Sequence, residues 1–117
     1  MAATVLIVDD HPGFRSGARR LMESEGYEVL GEAADGVEAV ALARDLKPEL
    51  VLLDVQLPDT DGFAVSAELA QLEPAPRVVL VSSRDAADFG SLIANHDVLG
   101  FIPKSELSGS AIRELVS

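Results

Sequence analysis

Residues 49–62 read ELVLLDVQLPDTDG, and this stretch decides the fold. Leu50, Val51, Leu52 and Leu53 run straight into the carboxylate of Asp54, with Pro48 before them and Pro58 after. So short and apolar a run is the pattern of a strand buried on both faces, as in parallel sheets. A carboxylate is costly inside such a strand. Asp54 therefore belongs at its C-terminal end, where open parallel sheets place their ligand crevice. A loop through Leu57-Pro58-Asp59-Thr60-Asp61-Gly62 follows before helical spacing resumes. Asp54 is the candidate reactive centre.

The pattern recurs on both sides. Thr4 to Val8 is a second apolar run, and it too ends in acid, Asp9-Asp10. Pro12 suits the first turn of the following helix, where its missing N–H is no loss. Phe14, Ala18, Leu21 and Met22 carry that helix, and Gly26 stops it. Residues 27–30 read as a short strand. Asp35 with Glu38 resembles a capping box, opening a helix through Val37, Val40, Ala41 and Leu46 that Pro48 closes. Beyond the central strand, Val65, Leu69 and Leu72 predict a helix over residues 63–72, ended by Pro74 and Pro76. Residues 77–81 form a fourth strand ending at Ser82-Ser83, and Asp85 caps a helix through Phe89, Leu92 and Ile93. Residues 98–102 form a fifth strand ending at Pro103-Lys104, and Leu107, Ala111, Ile112 and Leu115 space a closing helix. That helix runs to Ser117 without a stop signal, as if cut inside or just after an element. Strands alternating with helices, without hairpin signals, predict one parallel sheet covered on both faces by right-handed crossovers.

Length and composition narrow the classes. At 117 residues the chain is one domain with room for an ordinary core. With 48% hydrophobic and 25% charged residues it reads as globular, not disordered. It has no cysteine, which excludes a disulfide framework and a thiolate metal site and fits a reduced setting. No apolar run has membrane-spanning length, and MAATVLIVDD lacks the features of a signal peptide. The cytoplasm is the expected location. Twenty acidic residues against nine basic give a net charge of −11, which opposes binding to nucleic acid or anionic lipid. The one basic cluster, Arg15, Arg19 and Arg20, reads as a solvated helix face.

The strand ends carry the chemistry. Strand one ends in Asp9-Asp10, three in Asp54, four in Ser82-Ser83 and five in Lys104. In a parallel sheet these ends share one rim, so carboxylates, a hydroxyl and an ammonium converge. Clustered carboxylates repel one another and call for a cation. Hard oxygen donors suit Mg²⁺. Lysine as a point charge and serine as a donor suit phosphoryl oxygens, and a carboxylate nucleophile there would give an aspartyl phosphate. Each residue also has a plain structural reading. Asp9, Asp10, Ser82 or Ser83 can cap a helix or turn, Lys104 can be a solvated lysine, and Phe101 can be core. In one such account Lys104 neutralises an acidic cap cluster. The coincidence of four strand ends favours the site.

With these residues in view, the chain resembles a response regulator receiver domain, the phosphorylatable module of two-component signalling. The likeness covers the whole length, through VLIVDDHPGFRSGARRLMES, EAADGVEAVALARDLKPELVLLDVQLPDTDG, VVLVSS and LGFIPKS. The first half is most similar to the NarL/FixJ-type subfamily, whose full-length members add a DNA-binding domain. The resemblance implies a flavodoxin-like (βα)5 fold, a doubly wound five-stranded parallel sheet of order 2-1-3-4-5. Residues 1–117 would be the receiver domain, with an output domain beyond it. Asp54 would accept phosphate from a phosphohistidine of a sensor histidine kinase. Mg²⁺ would be held by Asp10 directly, by Asp9 largely through water, by Asp54 and by the backbone carbonyl of Gln56. Lys104 and Ser82 would contact the phosphoryl group, and Ser82 with Phe101 would form the switch. The face made by the fourth helix, fifth strand and fifth helix would then change partners, with a homodimer as one outcome. The domain would not bind nucleic acid itself, and its only chemistry would be its own phosphorylation and dephosphorylation. Four details depart from the commonest pattern. Ser82 replaces Thr, Phe101 replaces Tyr, Ser105 replaces a proline that often forms a cis bond, and Asn95-His96-Asp97 replaces small residues.

Two rival functions use the same residues. Asp59-Thr60-Asp61-Gly62 is similar to the nucleophile motif of haloacid-dehalogenase-type phosphatases, but Gln56-Leu57-Pro58 separates it from the strand. A receiver-like binding module that is never phosphorylated is the other, and the intact acidic set argues against it.

Overall fold

All five residues of β3 (Leu50–Asp54) are buried, as a strand covered on both faces requires. The computed structural model describes residues 3–83 and 98–116. Around β3 stand β1 (Thr4–Val8), β2 (Glu28–Ala33), β4 (Arg77–Ser82) and β5 (Gly100–Pro103). They form one parallel sheet of order β2-β1-β3-β4-β5. The chain reverses direction across the sheet between β1 and β3, which is where such sheets open a crevice. The described helices are α1 (Pro12–Ser24), α2 (Gly36–Leu46), α3 (Gly62–Leu69) and α4 (Gly109–Val116). A single 3-10 turn, Lys104–Glu106, links β5 to α4. The helix expected through Asp85, Phe89, Leu92 and Ile93, and the segment Asn95-His96-Asp97, lie outside the described residues.

Strand parity divides the core into two layers. Val5, Ile7, Leu50, Leu52, Val79, Val81 and Ile102 pack with Ala18 and Met22 of α1 and Ile112 of α4. Leu6, Val8, Val51, Leu53, Val78 and Leu80 pack with Ala39 and Ala43 of α2 and with Phe63, Val65 and Leu69 of α3.

The structure corrects several expected boundaries. β2 runs on to Ala33, pairing with β1 as far as Val8, and Gly31 lets α2 approach it: a Cβ there would lie 3.3 Å from Leu46 Cδ1. On α2 the fully buried residues are Gly36, Ala39 and Ala43, whereas Val37 is 75% exposed and Ala41 and Leu46 are exposed. Small side chains bring that helix onto the sheet, with Val40 and Leu42 packing beside them, while Val37 and Ala41 lie on its outer side. α3 stops at Leu69 and Leu72 lies in the turn beyond, while β5 begins at Gly100 and not at Val98. Gly26 ends α1 at φ +91°, as a glycine following the helix does. No helix among the described residues is long and apolar enough to cross a membrane.

Candidate functional site

Strand register brings the expected acids together. Val8 of β1 pairs with Leu53 of β3, so Asp9 and Asp54, the next residues on each, lie side by side. Asp54 pairs with Val81, and Ser82 pairs with Pro103, which puts Lys104 just past the same rim. Lys104 Nζ lies 2.6 Å from Asp9 Oδ2 and 3.4 Å from Asp54 Oδ2. It also stands 4.5 Å from the centre of the Phe14 ring, a cation–π contact that steadies it from the α1 side.

Asp54 is 3% exposed and Asp9 is sealed from solvent. Asp54 is thus buried beneath a lysine, whereas the strand-end reading placed it at an open edge. Burial pushes the Asp54 carboxyl up to about 6, and the neighbouring charge of Asp9 adds to this. Lys104 and the N–H of Gln56 pull the other way without winning. That N–H donates to Asp54 Oδ1 at 3.2 Å.

The turn after β3 explains the glycine that closes the motif. Gln56 bridges Asp61, Leu57 N–H donates to the Thr60 carbonyl, and Gly62 N–H donates to the Val55 carbonyl. A Cβ on Gly62 would lie 2.6 Å from the Asp54 carbonyl oxygen and 2.9 Å from Val55 Cα, so only glycine lets α3 start so close to the strand end. The same turn fixes the backbone of Gln56.

Asp9 does not cap α1. The cap position is His11, which makes no side-chain cap bond. Instead Asp9 Oδ1 accepts from the His11 N–H at 2.8 Å and lies 3.0 Å from His11 Nδ1, which is 3.1 Å from Asp10 Oδ1. Asp9 Oδ2 is buried without an aligned hydrogen bond; its contact with Lys104 is an ion pair only. Carboxylate oxygens of Asp9, Asp10 and Asp54 and a ring nitrogen of His11 all lie within 4.8 Å of one another. Like charges this close, one buried oxygen held only by the Lys104 ion pair, and Asp10 left partly open to solvent make a donor set that fits Mg²⁺. The sequence reading missed His11, although its place directly after the acid pair was the available signal.

Two further features were also missed. Arg15 Nη1 donates to the Asp9 carbonyl at 2.6 Å and Arg15 Nε to Glu32 Oε1 at 3.1 Å, while Arg19 Nε donates to Glu32 Oε2 at 2.8 Å. Of the arginines read as a solvated face, Arg15 therefore clamps the end of β2 to the loop that carries Asp9, Arg19 ties Glu32 to α1, and only Arg20 is exposed. Second, Asp59 accepts from Gly36 N–H at 2.8 Å and from Val37 N–H at 3.1 Å, while Asp61 caps α3 through Ala64 N–H at 2.8 Å. Both acids of the phosphatase-like motif are engaged as helix caps.

Ser82 is buried at the end of β4 and Phe101 is half-buried against the α2–α3 layer. Parity sets Leu80 opposite Phe101 in that layer, whereas Asp9 and Asp54 continue the parity of Ile7 and Leu52 on the α1–α4 side. The expected switch pair and the acids thus approach the rim from opposite faces.

The family model of the response regulator receiver domain matches residues 5–116. The chain belongs to the response regulator receiver domain family. Receiver relatives place it near transcription regulators. It is 40% identical over 102 residues to BvgA of Bordetella pertussis, named as a transcription regulator of virulence factors, covering 87% of this chain and 49% of that protein. It is 38% identical to the transcriptional regulatory protein PdtaR of Mycobacterium tuberculosis, covering 97% of this chain and 60% of that one. Among solved structures, the signal receiver domain of NarL from Mycobacterium tuberculosis superposes with a TM-score of 0.83 at 32% identity, covering 97% of this chain and 96% of that one. This receiver domain spans about half the length of curated relatives such as BvgA.

Proposed function

We propose that this receiver domain is a phosphorylation-controlled switch that accepts a phosphoryl group on Asp54 from a phosphohistidine of a sensor histidine kinase. The observation that carries the reading is Asp54 itself, a buried carboxylate with Lys104 Nζ on one oxygen and the Gln56 N–H on the other, beside two further acids. A carboxylate oxygen of Asp54 attacks phosphorus as the P–N bond to the donor imidazole breaks, and the departing nitrogen takes a proton from solvent. Lys104 moves from neutralising Asp9 and Asp54 to holding a phosphoryl oxygen. Asp9, Asp10, Asp54 and the Gln56 carbonyl would hold Mg²⁺, which offsets the mutual repulsion of the acids and the charge on the phosphoryl oxygens.

The new charge draws the Ser82 hydroxyl towards the rim, and its shift makes room beneath for the Phe101 ring, which is half-buried on the same layer. The surface around β5 and α4 then changes its partners, a second copy of the chain among them. The reaction is the domain's own phosphorylation and loss of phosphate, with no turnover of another substrate. The relatives' names support transcription as the output; an attached output domain and a cytoplasmic setting belong to the proposal. The test is incubation of the protein with Mg²⁺ and a small-molecule phosphodonor, followed by intact-mass measurement. One acid-labile phosphate per chain is expected. Continuous release of inorganic phosphate without a labelled protein would indicate a phosphatase, and no reaction at all would indicate a binding module.

A further inference from the structure

We propose that His11 is a ligand in the acidic pocket and gives this metal site a preference for nitrogen-seeking first-row ions such as Ni²⁺ and Co²⁺ over what its carboxylates alone would show. The inference rests on the pocket being a metal site, as the proposed function holds. His11 Nδ1 lies 3.0 Å from Asp9 Oδ1 and 3.1 Å from Asp10 Oδ1. A single ring nitrogen carries at most one proton, so it cannot make two good hydrogen bonds at once. The spacing matches another role. Ligands at right angles around an octahedral ion, each at ~2.1 Å, stand about 3 Å apart. The fourth donor, from Asp54, falls within the same 4.8 Å group.

The backbone at His11 is fixed. His11 N–H is bound to Asp9 Oδ1, its carbonyl accepts from Arg15 N–H, and Pro12 follows at the start of α1. The side chain is 68% exposed, so the ring reaches the pocket from its mouth and can adjust without disturbing the core. Beneath it, Asp9 Oδ2 is buried with no aligned hydrogen bond, held only by the ion pair with Lys104 Nζ at 2.6 Å. Mg²⁺ strongly prefers oxygen, whereas affinity for an imidazole rises toward Ni²⁺ and Cu²⁺. His11 should therefore shift which ion the site selects, contributing more to Ni²⁺ binding than to Mg²⁺ binding.

The test uses calorimetric titration with Ni²⁺ and with Mg²⁺, no phosphodonor being present, on protein in which His96, the chain's other histidine, is replaced by alanine. Adding His11→Ala should weaken Ni²⁺ binding by about tenfold or more and weaken Mg²⁺ binding by a clearly smaller factor. Imidazole NMR signals of His11 should broaden when Co²⁺ binds. Equal Ni²⁺ affinity with and without His11, or ring signals unmoved by bound Co²⁺, would overturn the proposal. Ni²⁺ bound through His11 in a protein that never takes phosphate would sink the phosphoacceptor reading and leave this one standing.

Discussion

The acidic pocket at the ends of β1 and β3 and the capped turn over α2 are both built from aspartates, yet their carboxylates meet opposite surroundings. In the pocket, Asp9 and Asp54 face each other under one lysine, and burial and repulsion push the Asp54 carboxyl up to about 6. Over α2, Asp35 accepts from Glu38 N–H, Glu38 reaches back to Ala34 N–H, and Asp59 takes the N–H groups of Gly36 and Val37. Those backbone donors, that of Gly36 foremost, hold the Asp59 carboxyl below its ordinary range. The helix end supplies orphan donors that want an anion, whereas the strand ends supply too few. An aspartate rich in donors is finished as structure. One short of them is poised for a cation or a phosphoryl group.

This contrast can be broken by substitution. Asp54→Asn should show the largest effect, complete loss of phosphate uptake. In chelator it should also raise thermal stability by ~1–3 kcal/mol at neutral pH, since each unit of pKa elevation is worth about 1.4 kcal/mol. Denaturant titration checks the second part, and a destabilised variant would contradict the picture of a repelled, buried acid. Lys104→Ala should destabilise the metal-free protein by ~3 kcal/mol, because it strands two buried carboxylates, and Asp54→Asn should restore part of the loss. Asp35→Ala should cost ~1 kcal/mol through its lost cap and leave phosphate uptake unchanged. Asp59→Ala should lower the melting temperature slightly, again with uptake intact; loss of labelling there would erase the distinction between the two groups.

The two groups also predict opposite pH slopes in chelator. The folded-state pKa of Asp54 lies above its ordinary value, so the native state holds the extra proton and stability falls as pH rises from about 4 to about 6. Asp59 and Glu32 are held below their ordinary values, Glu32 chiefly by Arg19. Their contribution is present above the ordinary carboxylate range and is lost as pH falls through their folded values. Urea midpoints between pH 3 and pH 8 should rise and then fall, and Asp54→Asn should flatten the fall.

Much of this was legible in the residue order. Continuous apolar strands announce a parallel sheet, and their terminal acids, serine and lysine announce the rim. What escaped depends on pairings that no local pattern encodes. Asp59 caps a helix 23 residues earlier, and Glu32 gathers arginines 13 and 17 residues away. The buried side of α2 was misread because Gly36, Ala39 and Ala43 are small, and helical periodicity is judged from large apolar residues. The depth of Asp54 was misread because Lys104, 50 residues on, is what covers it.

The central claim is that Asp54 is the phosphoacceptor. Borohydride reduction of the phosphodonor-treated protein, followed by peptide mass analysis, reads this directly, because reduction of an aspartyl phosphate leaves homoserine at the modified residue. Homoserine at position 54, absent without Mg²⁺ and absent in Asp54→Asn, is the predicted result. Homoserine at Asp9, Asp10 or Asp59, or at no residue while phosphate is bound, would contradict it.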